Sequence, residues 1–298
     1  MIPCPMGGGR SKDVARTTLT RAKHSAVRFA HRTAHPKPLG RGGKPGLAIT
    51  GGGGTIGRML CEGLVADFEI RSIDGVPQPG VDLVADARRV GQIEGAIVGA
   101  GAIVDLASDP SVHAAWRTVR DNNLAATVAV LEAARRARVP RVVFASSNHV
   151  TGMYERDEPY ASVLAGRYDG LDPETLPRLR SGSPIRPDGF YAIGKAAGEA
   201  AGRYYADQYG LSVICLRIGS VGPGDRPADM RQYATFISQR DLVQLVRRCI
   251  EAPSDLRFAV FYGVSLNTWR IWDIEDARSA IGYEPLDDAE SFRCPPSE

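Results

Sequence analysis

The sequence predicts an α/β fold in which helices cover both faces of a doubly wound parallel sheet. From Gly46 onward, short apolar runs alternate with segments whose apolar residues have helical spacing. The runs are almost continuously apolar, which is typical of strands that are buried on both faces. The first run is followed by the glycine-rich turn TGGGGTIG at residues 50–57 and then by a helical segment. This strand–turn–helix order indicates a Rossmann-type sheet.

The pattern assigns six strands and three longer helices. The second predicted strand ends in Asp74, and the third ends near Asp86. The predicted strands are residues 47–50, 68–74, 81–84, 102–107, 141–147 and 211–218. The predicted helices are residues 55–65, 123–137 and 191–209.

Two segments interrupt this alternation. Residues 153–188 are rich in Pro, Gly, Arg and acids, and the residues after 218 form a small C-terminal portion that begins irregularly. Both segments follow strand ends, and open α/β sheets bind ligands beyond the carboxyl ends of their strands. We therefore expect one domain over residues 46–298, in which segments 153–188 and 219–298 bind the substrate.

Residues 1–45 have a different composition. Residues 1–46 hold ten Lys and Arg and one acid, a net charge of +9, whereas the other residues carry 27 basic and 33 acidic side chains, a net charge of −6. A basic segment without an apolar pattern is typical of a disordered leader, although a targeting peptide would look similar. The mildly acidic body shows no nucleic-acid footprint.

Composition also limits the other classes of function. No run approaches the roughly 18 apolar residues of a membrane span, so we expect no membrane contact. The five cysteines are scattered and lack CxxC spacing, which favours reduced thiols in the cytoplasm over disulfides. No second His or Cys stands at ligand spacing from His149, so we predict no metal site.

The glycines of the turn carry the first functional prediction. Gly51, Gly54 and Gly57 have G-x-x-G-x-x-G spacing. Glycines at these places let the chain turn sharply and approach a pyrophosphate at the N-terminus of the following helix. The turn therefore predicts a dinucleotide cofactor.

Asp74 predicts which dinucleotide is bound. It lies 23 residues after Gly51, where a carboxylate can accept hydrogen bonds from the adenosine ribose and repel a 2′-phosphate. We therefore predict NAD rather than NADP, although an Asp-Gly pair can also be a plain turn. Arg71 could soften this preference, and Asp86 could approach the adenine.

Tyr191 and Lys195 stand four residues apart, so a helix places both on one face. A Tyr is a poor base at neutral pH because its ordinary pKa is ~10. A nearby ammonium and the positive nicotinamide would favour the phenolate, so we expect the pKa of Tyr191 to fall. Tyr191 could then accept the proton of a substrate hydroxyl as hydride leaves its carbon. The same spacing occurs on solvated helix faces, and the glycine turn is what favours a catalytic pair.

Ser147 ends a predicted strand, and its hydroxyl could bond the reacting substrate oxygen, with Ser146 as a competitor for this role. Asn148 and His149 follow at once and would point into the same cleft. A single His near a strand end is more often a structural hydrogen-bonding group than a ligand.

Together, TGxxGxxG, the strand-end acid, Asn122-Asn123, the Ser pair and YxxxK resemble the extended short-chain dehydrogenases/reductases, which include the NAD-dependent sugar epimerases and dehydratases. The resemblance covers about residues 46–293. Within this group the sequence is most similar to uronate dehydrogenases. The segments that carry this similarity are FASSNHVTG (144–152), RPDGFYAIGKAAGE (186–199), LRIGS (216–220), FYGVS (261–265) and IGYEPLDDAESF (281–292).

Uronate dehydrogenases oxidise the C1 hydroxyl of a hexuronic acid to a lactone with NAD. The resemblance implies that Tyr191 is the base, Lys195 its electrostatic partner and Ser147 the clamp on the substrate hydroxyl. The implied cofactor-binding residues are Gly51, Gly54, Thr55, Ile56, Gly57, Asp74, Asp86, Asn123, Tyr191, Lys195 and Ile218. The implied substrate-binding residues are Ser111 or Ser108, Ser147, Asn148, His149, Tyr191 and Arg231. Arg231 would bind the sugar carboxylate, which suits a guanidinium.

The resemblance also implies a homodimer, because the Ala-rich helices 123–137 and 191–209 are similar to those of the family's four-helix interface. Two departures concern the sugar: the segment from Ser147 to Tyr191 and the loop 221–230 are longer than in uronate dehydrogenases. A nucleotide-sugar 4-epimerase with tightly bound NAD is the alternative, although the 80 residues after Ile218 leave little room for a nucleotide-binding domain. A non-catalytic Rossmann protein is a third interpretation.

Overall fold

The computed structural model describes residues 36–293, which contain a seven-stranded sheet. Its strands are β1 (Gly46–Thr50), β2 (Glu69–Asp74), β3 (Leu83–Val84), β4 (Ala102–Asp105), β5 (Arg141–Ser147), β6 (Ser212–Ile218) and β7 (Phe258–Gly263). They lie in the order β3-β2-β1-β4-β5-β6-β7, and every neighbouring pair is parallel. The chain direction across the sheet reverses between β1 and β4, which is the switch point of a doubly wound sheet.

Helical segments connect the strands. The helices are α1 (Thr55–Leu64), α2 (Val90–Ala96), α3 (Trp116–Thr118), α4 (Ala125–Ala137), α5 (Tyr160–Leu164), α6 (Phe190–Tyr209), α7 (Gln232–Thr235), α8 (Gln239–Ile250) and α9 (Glu275–Ile281). A π-helical turn, Val119–Leu124, joins α3 to α4, and 3₁₀ segments cover Asn148–Arg156 and Ala289–Phe292. Over residues 36–293, no helix has the length and apolar character needed to cross a membrane.

The sheet separates two hydrophobic clusters because side chains alternate between its faces along each strand. On β5, Val143 and Ala145 belong to one cluster, and Val142 and Phe144 belong to the other. Helices α1 and α8 pack on the first face, and α2, α4 and α6 pack on the second. Strands β1, β4, β5 and β6 are buried on both faces, which explains their continuous apolar sequences.

The predicted doubly wound α/β fold is confirmed. Strand β5 has the predicted bounds, and the other predicted strands differ only at their ends. The predictions omit β7, an edge strand with the continuous apolar run FAVFYG, whose first three residues are half-buried. They also omit α8, although its buried Leu242, Leu245, Val246 and Cys249 have helical spacing between polar residues.

The folded body begins before the predicted boundary at residue 45, and this prediction is corrected. Leu39 is buried in the second cluster, and its N–H donates to the carbonyl of Val98 at 2.9 Å. The guanidinium of Arg71 donates to the carbonyl of Lys37. One leucine among prolines and glycines gives no periodicity, so the sequence could not reveal this contact. The prediction of a disordered leader otherwise falls on residues 1–35, which lie outside the described residues.

Segment 153–188 packs on the C-terminal part of the chain. Leu176 and Leu179 are buried. The Leu179 N–H donates to the carbonyl of Ile271 at 2.8 Å, and the Asp273 N–H donates to the carbonyl of Leu179 at 2.8 Å. Pairing between residues so far apart in sequence holds the segment, which is why local periodicity does not show its structure.

Candidate active site

A cavity of about 1100 Å³ opens at the carboxyl ends of the strands. Its lining includes Gly51 after β1, Asp74 at the end of β2, Leu106 after β4, Ser147 at the end of β5 and Ile218 at the end of β6. It therefore spans the switch point between β1 and β4, where open α/β sheets bind ligands.

Glycine is required at two positions of the turn between β1 and α1. Gly51 has φ +68°, and a Cβ there would come within 2.9 Å of the Leu106 carbonyl group. At Gly57 a Cβ would collide with the Gly51 carbonyl oxygen, so glycine is what lets α1 pack on the turn. The cavity lining here includes Gly54, Thr55, Ile56 and Gly57. The N-terminus of α1 has no acid in its first turn and presents its positive dipole end to an anion.

Asp74 lies in the cavity beside this turn. Its carboxylate accepts the Gly53 N–H at 3.1 Å and the Val76 N–H at 3.3 Å, which fixes it next to the glycine turn. Arg71, which could have softened a preference for NAD, is buried elsewhere and donates to the Ala96 carbonyl at 2.6 Å. The geometry therefore leaves Asp74 as the charged group at the end of β2.

Asp86 also lines the cavity, but Arg88 occupies its carboxylate. Arg88 donates from Nε to Oδ1 at 2.8 Å and from Nη2 to Oδ2 at 2.9 Å. Hydrogen bonding by Arg88 lowers the pKa of Asp86 to about 2. Arg88 itself lines the cavity and donates to Asn122 Oδ1 at 3.3 Å. The sequence does not single out Arg88, because an arginine in a surface turn carries no distinctive pattern.

Lys195 is buried under the cavity by its position on the inner face of α6. Its Nζ donates to the Ala145 carbonyl at 2.7 Å and to Ser108 Oγ at 3.1 Å, and lies 5.6 Å from the centroid of the Tyr191 ring. Burial lowers the pKa of Lys195 to about 8, and the charge of Asp105 opposes this shift. The ammonium is thus fixed beside Tyr191 by acceptors from two strand ends.

Tyr191 does not have the electrostatics that the sequence predicts. Burial raises the pKa of its phenol above the ordinary value, and a hydrogen bond with Ser147 only partly opposes that shift. The expected fall in the pKa of Tyr191 is therefore not produced by the protein's own groups, because desolvation of the phenolate outweighs the contacts that favour it. The helix does place Tyr191 and Lys195 on one face, as predicted.

Ser146 and Ser147 have separate roles in the structure. Ser146 Oγ donates to Glu199 Oε1 at 2.5 Å, and Glu199 forms a buried bidentate ion pair with Arg217 at 2.9 Å. Ser147 instead bonds Tyr191 and accepts the His149 N–H at 3.2 Å. Ser147 therefore lies in the cavity beside Tyr191, and Ser146 anchors a buried network.

Asn148 offers an unused donor to the cavity. It is 2 % exposed, and its Oδ1 accepts the Ser147 hydroxyl at 3.3 Å. Among the described residues, its Nδ2 finds no hydrogen-bond partner. A buried amide donor without a partner is costly, so Asn148 stands out as an unmatched polar group next to the cavity.

His149 is fixed by a residue that the sequence reasoning missed. Its Nδ1 lies 2.6 Å from Asp188 Oδ2, and its ring packs edge-on against Tyr191 with centroids 6.1 Å apart. Asp188 fills the space beside Gly152, where a Cβ would collide with its carboxylate. The Asp-Gly pair before α6 was a weak signal for this contact.

Three predicted site residues, Asn123, Ser111 and Arg231, lie beside the cavity rather than in its lining. Asn123, in the π-helical turn, accepts the Asp109 N–H at 2.9 Å and donates to the Asp109 carbonyl at 3.1 Å. Both ends of its amide are thus used to hold the loop after β4. Ser111 is exposed and accepts the His113 N–H at 3.3 Å, whereas Ser108 lines the cavity and bonds Lys195. Of the two alternatives in this loop, the geometry favours Ser108.

Arg231 is engaged by a carboxylate of the protein itself. It donates from Nη2 to Glu155 Oε1 at 2.6 Å and from Nε to Glu155 Oε2 at 2.7 Å. Its Nη1 donates to Ser220 Oγ at 3.2 Å, and Ser220 lines the cavity with Gln232. The predicted carboxylate-binding guanidinium therefore lies behind the lining and already holds a carboxylate.

Segment 153–188 does not form a wall of the cavity. Among the described residues, those from 150 to 190 are absent from its lining. The segment reaches the site indirectly, through Asp188 on His149 and Glu155 on Arg231. The loop after β6 contributes Gly219, Ser220 and Val221 to the lining, as predicted for a cavity wall.

Comparison with known proteins gives a match to the NAD dependent epimerase/dehydratase family over residues 47–272. The chain is 33% identical over 258 residues to an NAD-dependent glucose-6-phosphate dehydrogenase of Haloferax volcanii, with 83% of this chain and 95% of that protein covered. An L-arabinose 1-dehydrogenase (NAD(P)(+)) of the same organism is 35% identical, with 82% and 97% covered. A uronate dehydrogenase of Pseudomonas putida is 31% identical, with 83% and 86% covered.

A solved structure extends this similarity to the fold. A mutant of uronate dehydrogenase from Agrobacterium tumefaciens, complexed with NAD, superposes with a TM-score of 0.70. It is 30% identical, and the match covers 86% of this chain and 92% of that one. The named relatives thus differ in the sugar and agree in being dehydrogenases.

Proposed function

Because the chain belongs to the NAD-dependent epimerase/dehydratase family, we propose that it oxidises the C1 hydroxyl of a free sugar or sugar acid to the lactone. It is an NAD-dependent dehydrogenase that acts on a sugar or a sugar acid. The observation that supports oxidation of a sugar hydroxyl with NAD is the group of Ser147, Tyr191 and Lys195 in one cavity with the glycine turn. One of the relatives is named a 1-dehydrogenase, which favours C1.

The cavity fits NAD on geometric grounds. The glycine turn lines the cavity, and the N-terminus of α1, which has no acid in its first turn, would hold the pyrophosphate. Asp74 would accept hydrogen bonds from the adenosine ribose. NAD, when bound, supplies the acceptor for the hydride that leaves the sugar C1.

Side chains of the protein bind the sugar hydroxyl and accept its proton. Ser147 Oγ holds the sugar hydroxyl, and Tyr191 Oη takes its proton as the C1–O bond becomes a carbonyl. The phenolate that accepts this proton is costly in a buried site. The Lys195 ammonium offsets that cost, because it stands beside the ring and is held there by Ala145 and Ser108.

The sugar itself is the finer part of the proposal. The sequence resemblance predicts a hexuronic acid, whereas relatives of similar identity are named for glucose 6-phosphate and L-arabinose. Each of these sugars has a C1 hydroxyl that the proposed reaction can oxidise. The cytoplasmic location stays a prediction from the sequence. The homodimer through helices α4 and α6 also stays a prediction, and the exposed apolar side chains of Phe190, Ile193 and Tyr204 on α6 support it.

A nucleotide-sugar 4-epimerase is the alternative, since it would use the same Tyr and Lys. The test is to incubate the purified protein with NAD and a panel of free sugars and uronic acids, and to follow the absorbance of reduced cofactor. Net NADH formation supports the proposal. Tightly held NAD without net reduction, together with conversion of a nucleotide sugar, would support the epimerase, and a failure to bind NAD would indicate a non-catalytic protein.

A further inference from the structure

The ion pair between Glu155 and Arg231 bears on which sugars the site accepts. The two side chains meet in a fork, with both guanidinium–carboxylate distances below 2.8 Å. The Arg231 side chain is 29% exposed and that of Glu155 is 15% exposed. Both groups are thus partly withdrawn from solvent, where a bidentate pair is strong and specific in its geometry.

The pair stands directly behind the cavity wall. Arg231 precedes α7, and its Nη1 bonds the Ser220 hydroxyl. Ser220 Oγ lies 2.7 Å from Thr235 Oγ1 and lines the cavity that also contains Tyr191. An uncompensated guanidinium at this place would attract an anionic substituent on a sugar whose C1 faces Tyr191.

Glu155 removes that attraction. Three of the N–H groups of Arg231 are used by Glu155 and Ser220, so a substrate carboxylate would have to displace an internal carboxylate that is already in place. A second carboxylate beside Glu155 would also be repelled by it. The hydroxyl of a neutral sugar carries no charge, so it neither has to displace the Glu155 carboxylate nor is repelled by it.

From this geometry we propose that Glu155 makes the site select a neutral aldose over the corresponding sugar acid. The inference rests on the proposed C1 oxidation, and it narrows the substrate away from the hexuronic acid that the sequence resemblance implies. Glu155 acts through Arg231 and is therefore a specificity-determining positioning residue that does not itself line the cavity.

The test compares galacturonate with galactose and glucuronate with glucose, pairs that differ only in a carboxylate or a hydroxymethyl group at C6. The wild type should have the higher kcat/KM for the neutral sugar. Glu155→Gln should free the guanidinium and shift the acid-to-neutral ratio toward the acid by roughly 10- to 100-fold, the worth of a charge-assisted hydrogen bond. The double variant Glu155→Gln/Arg231→Gln should lose that gain.

Glu158→Gln is the matched control, because Glu158 lies in the same segment and pairs with Arg167 on the exposed surface. It should leave the ratio unchanged. The melting temperature of each variant shows whether it folds. The double variant leaves no unpaired charge, so it should be more stable than the single variant Glu155→Gln. A wild type that prefers the acid, or an unchanged ratio in Glu155→Gln, overturns the inference alone. No NADH from any free sugar overturns both this inference and the proposed function.

Discussion

The floor and the rim of the cavity are held by different forces. We define the floor as Ser147, Tyr191 and Lys195, which line the cavity, and the rim as Glu155, Asp188 and Arg231, which stand behind its lining. Backbone and hydroxyl acceptors at the ends of β4 and β5 fix the Lys195 ammonium on the floor. Polar contacts across loops fix the rim: an ion pair at 2.6 Å between Arg231 and Glu155, and a hydrogen bond at 2.6 Å between His149 and Asp188.

The difference shows how one scaffold can keep its chemistry and vary its substrate. The floor depends on the sheet, so it cannot move without disturbing the core. The rim depends on single charges in segments that connect strands, where substitution is better tolerated. Changes on the floor should therefore alter the chemical step or stability, and changes on the rim should alter which sugar is used.

Tyr191→Phe tests the floor most directly. It removes the proton acceptor and keeps the ring, so kcat should fall by roughly 10²- to 10⁴-fold while NAD affinity stays near that of the wild type. Steady-state kinetics and a fluorescence titration with NADH measure both. Tyr209→Phe, at the exposed end of the same helix, is the control and should behave like the wild type. Retained turnover in Tyr191→Phe would show that another group takes the proton.

Glu199→Gln tests how firmly the structure behind the floor is anchored. Glu199 is 7% exposed and is the partner of Arg217, which is 3% exposed. Removal of its charge leaves a buried guanidinium without a counter-ion and should cost about 3–5 kcal/mol of unfolding free energy. Glu155→Gln, at the more exposed rim pair, should cost less. Equal losses in denaturant unfolding would contradict the distinction between floor and rim.

Lys195→Met should change the pH dependence of turnover. The phenol must be deprotonated to accept a proton, so wild-type turnover rises with pH. Since burial lowers the pKa of Lys195 to about 8, its ammonium assists below that pH and is lost above it, and the rise should flatten there. Without the ammonium, the apparent pKa of Tyr191 should rise further, which lowers kcat roughly 10- to 100-fold at neutral pH.

The measurement for Lys195 is a profile of kcat against pH, with Lys44→Met as control because Lys44 lies on the exposed surface near residue 65. A profile that is merely lower and keeps its shape would mean that Lys195 binds the cofactor and does not act on Tyr191.

Asp188→Asn is the mildest of these changes. The amide weakens the bond that fixes His149, so KM for the sugar should rise by roughly 2- to 10-fold with little change in kcat. Asp169→Asn, exposed in the same segment, is the control. A fall in kcat without a change in KM would place His149 among the groups of the floor.

Much of the fold followed from the sequence because the signals were local. The apolar runs of β1, β4, β5 and β6 are buried on both faces, so each reads as a strand without knowledge of its neighbours. The edge strand β7 and the helix α8 also carry local patterns, a continuous apolar run and helical spacing, that the predictions left unassigned, whereas a contact made only in the tertiary structure leaves no such pattern. Leu39 is the extreme case, a single buried residue in a segment without periodicity.

Sequence alone indicated the glycine turn and the Tyr191–Lys195 pair, since each is set by spacing along one turn or helix, whereas the tertiary structure separated Ser147 from Ser146. Only the tertiary structure decided the partners of Asn123, Arg231 and His149, and the direction of the pKa shift of Tyr191. Glu155 lies 76 residues from Arg231 in sequence. Ion pairing and desolvation depend on distance in space, and no local pattern encodes which charges the fold will bring together.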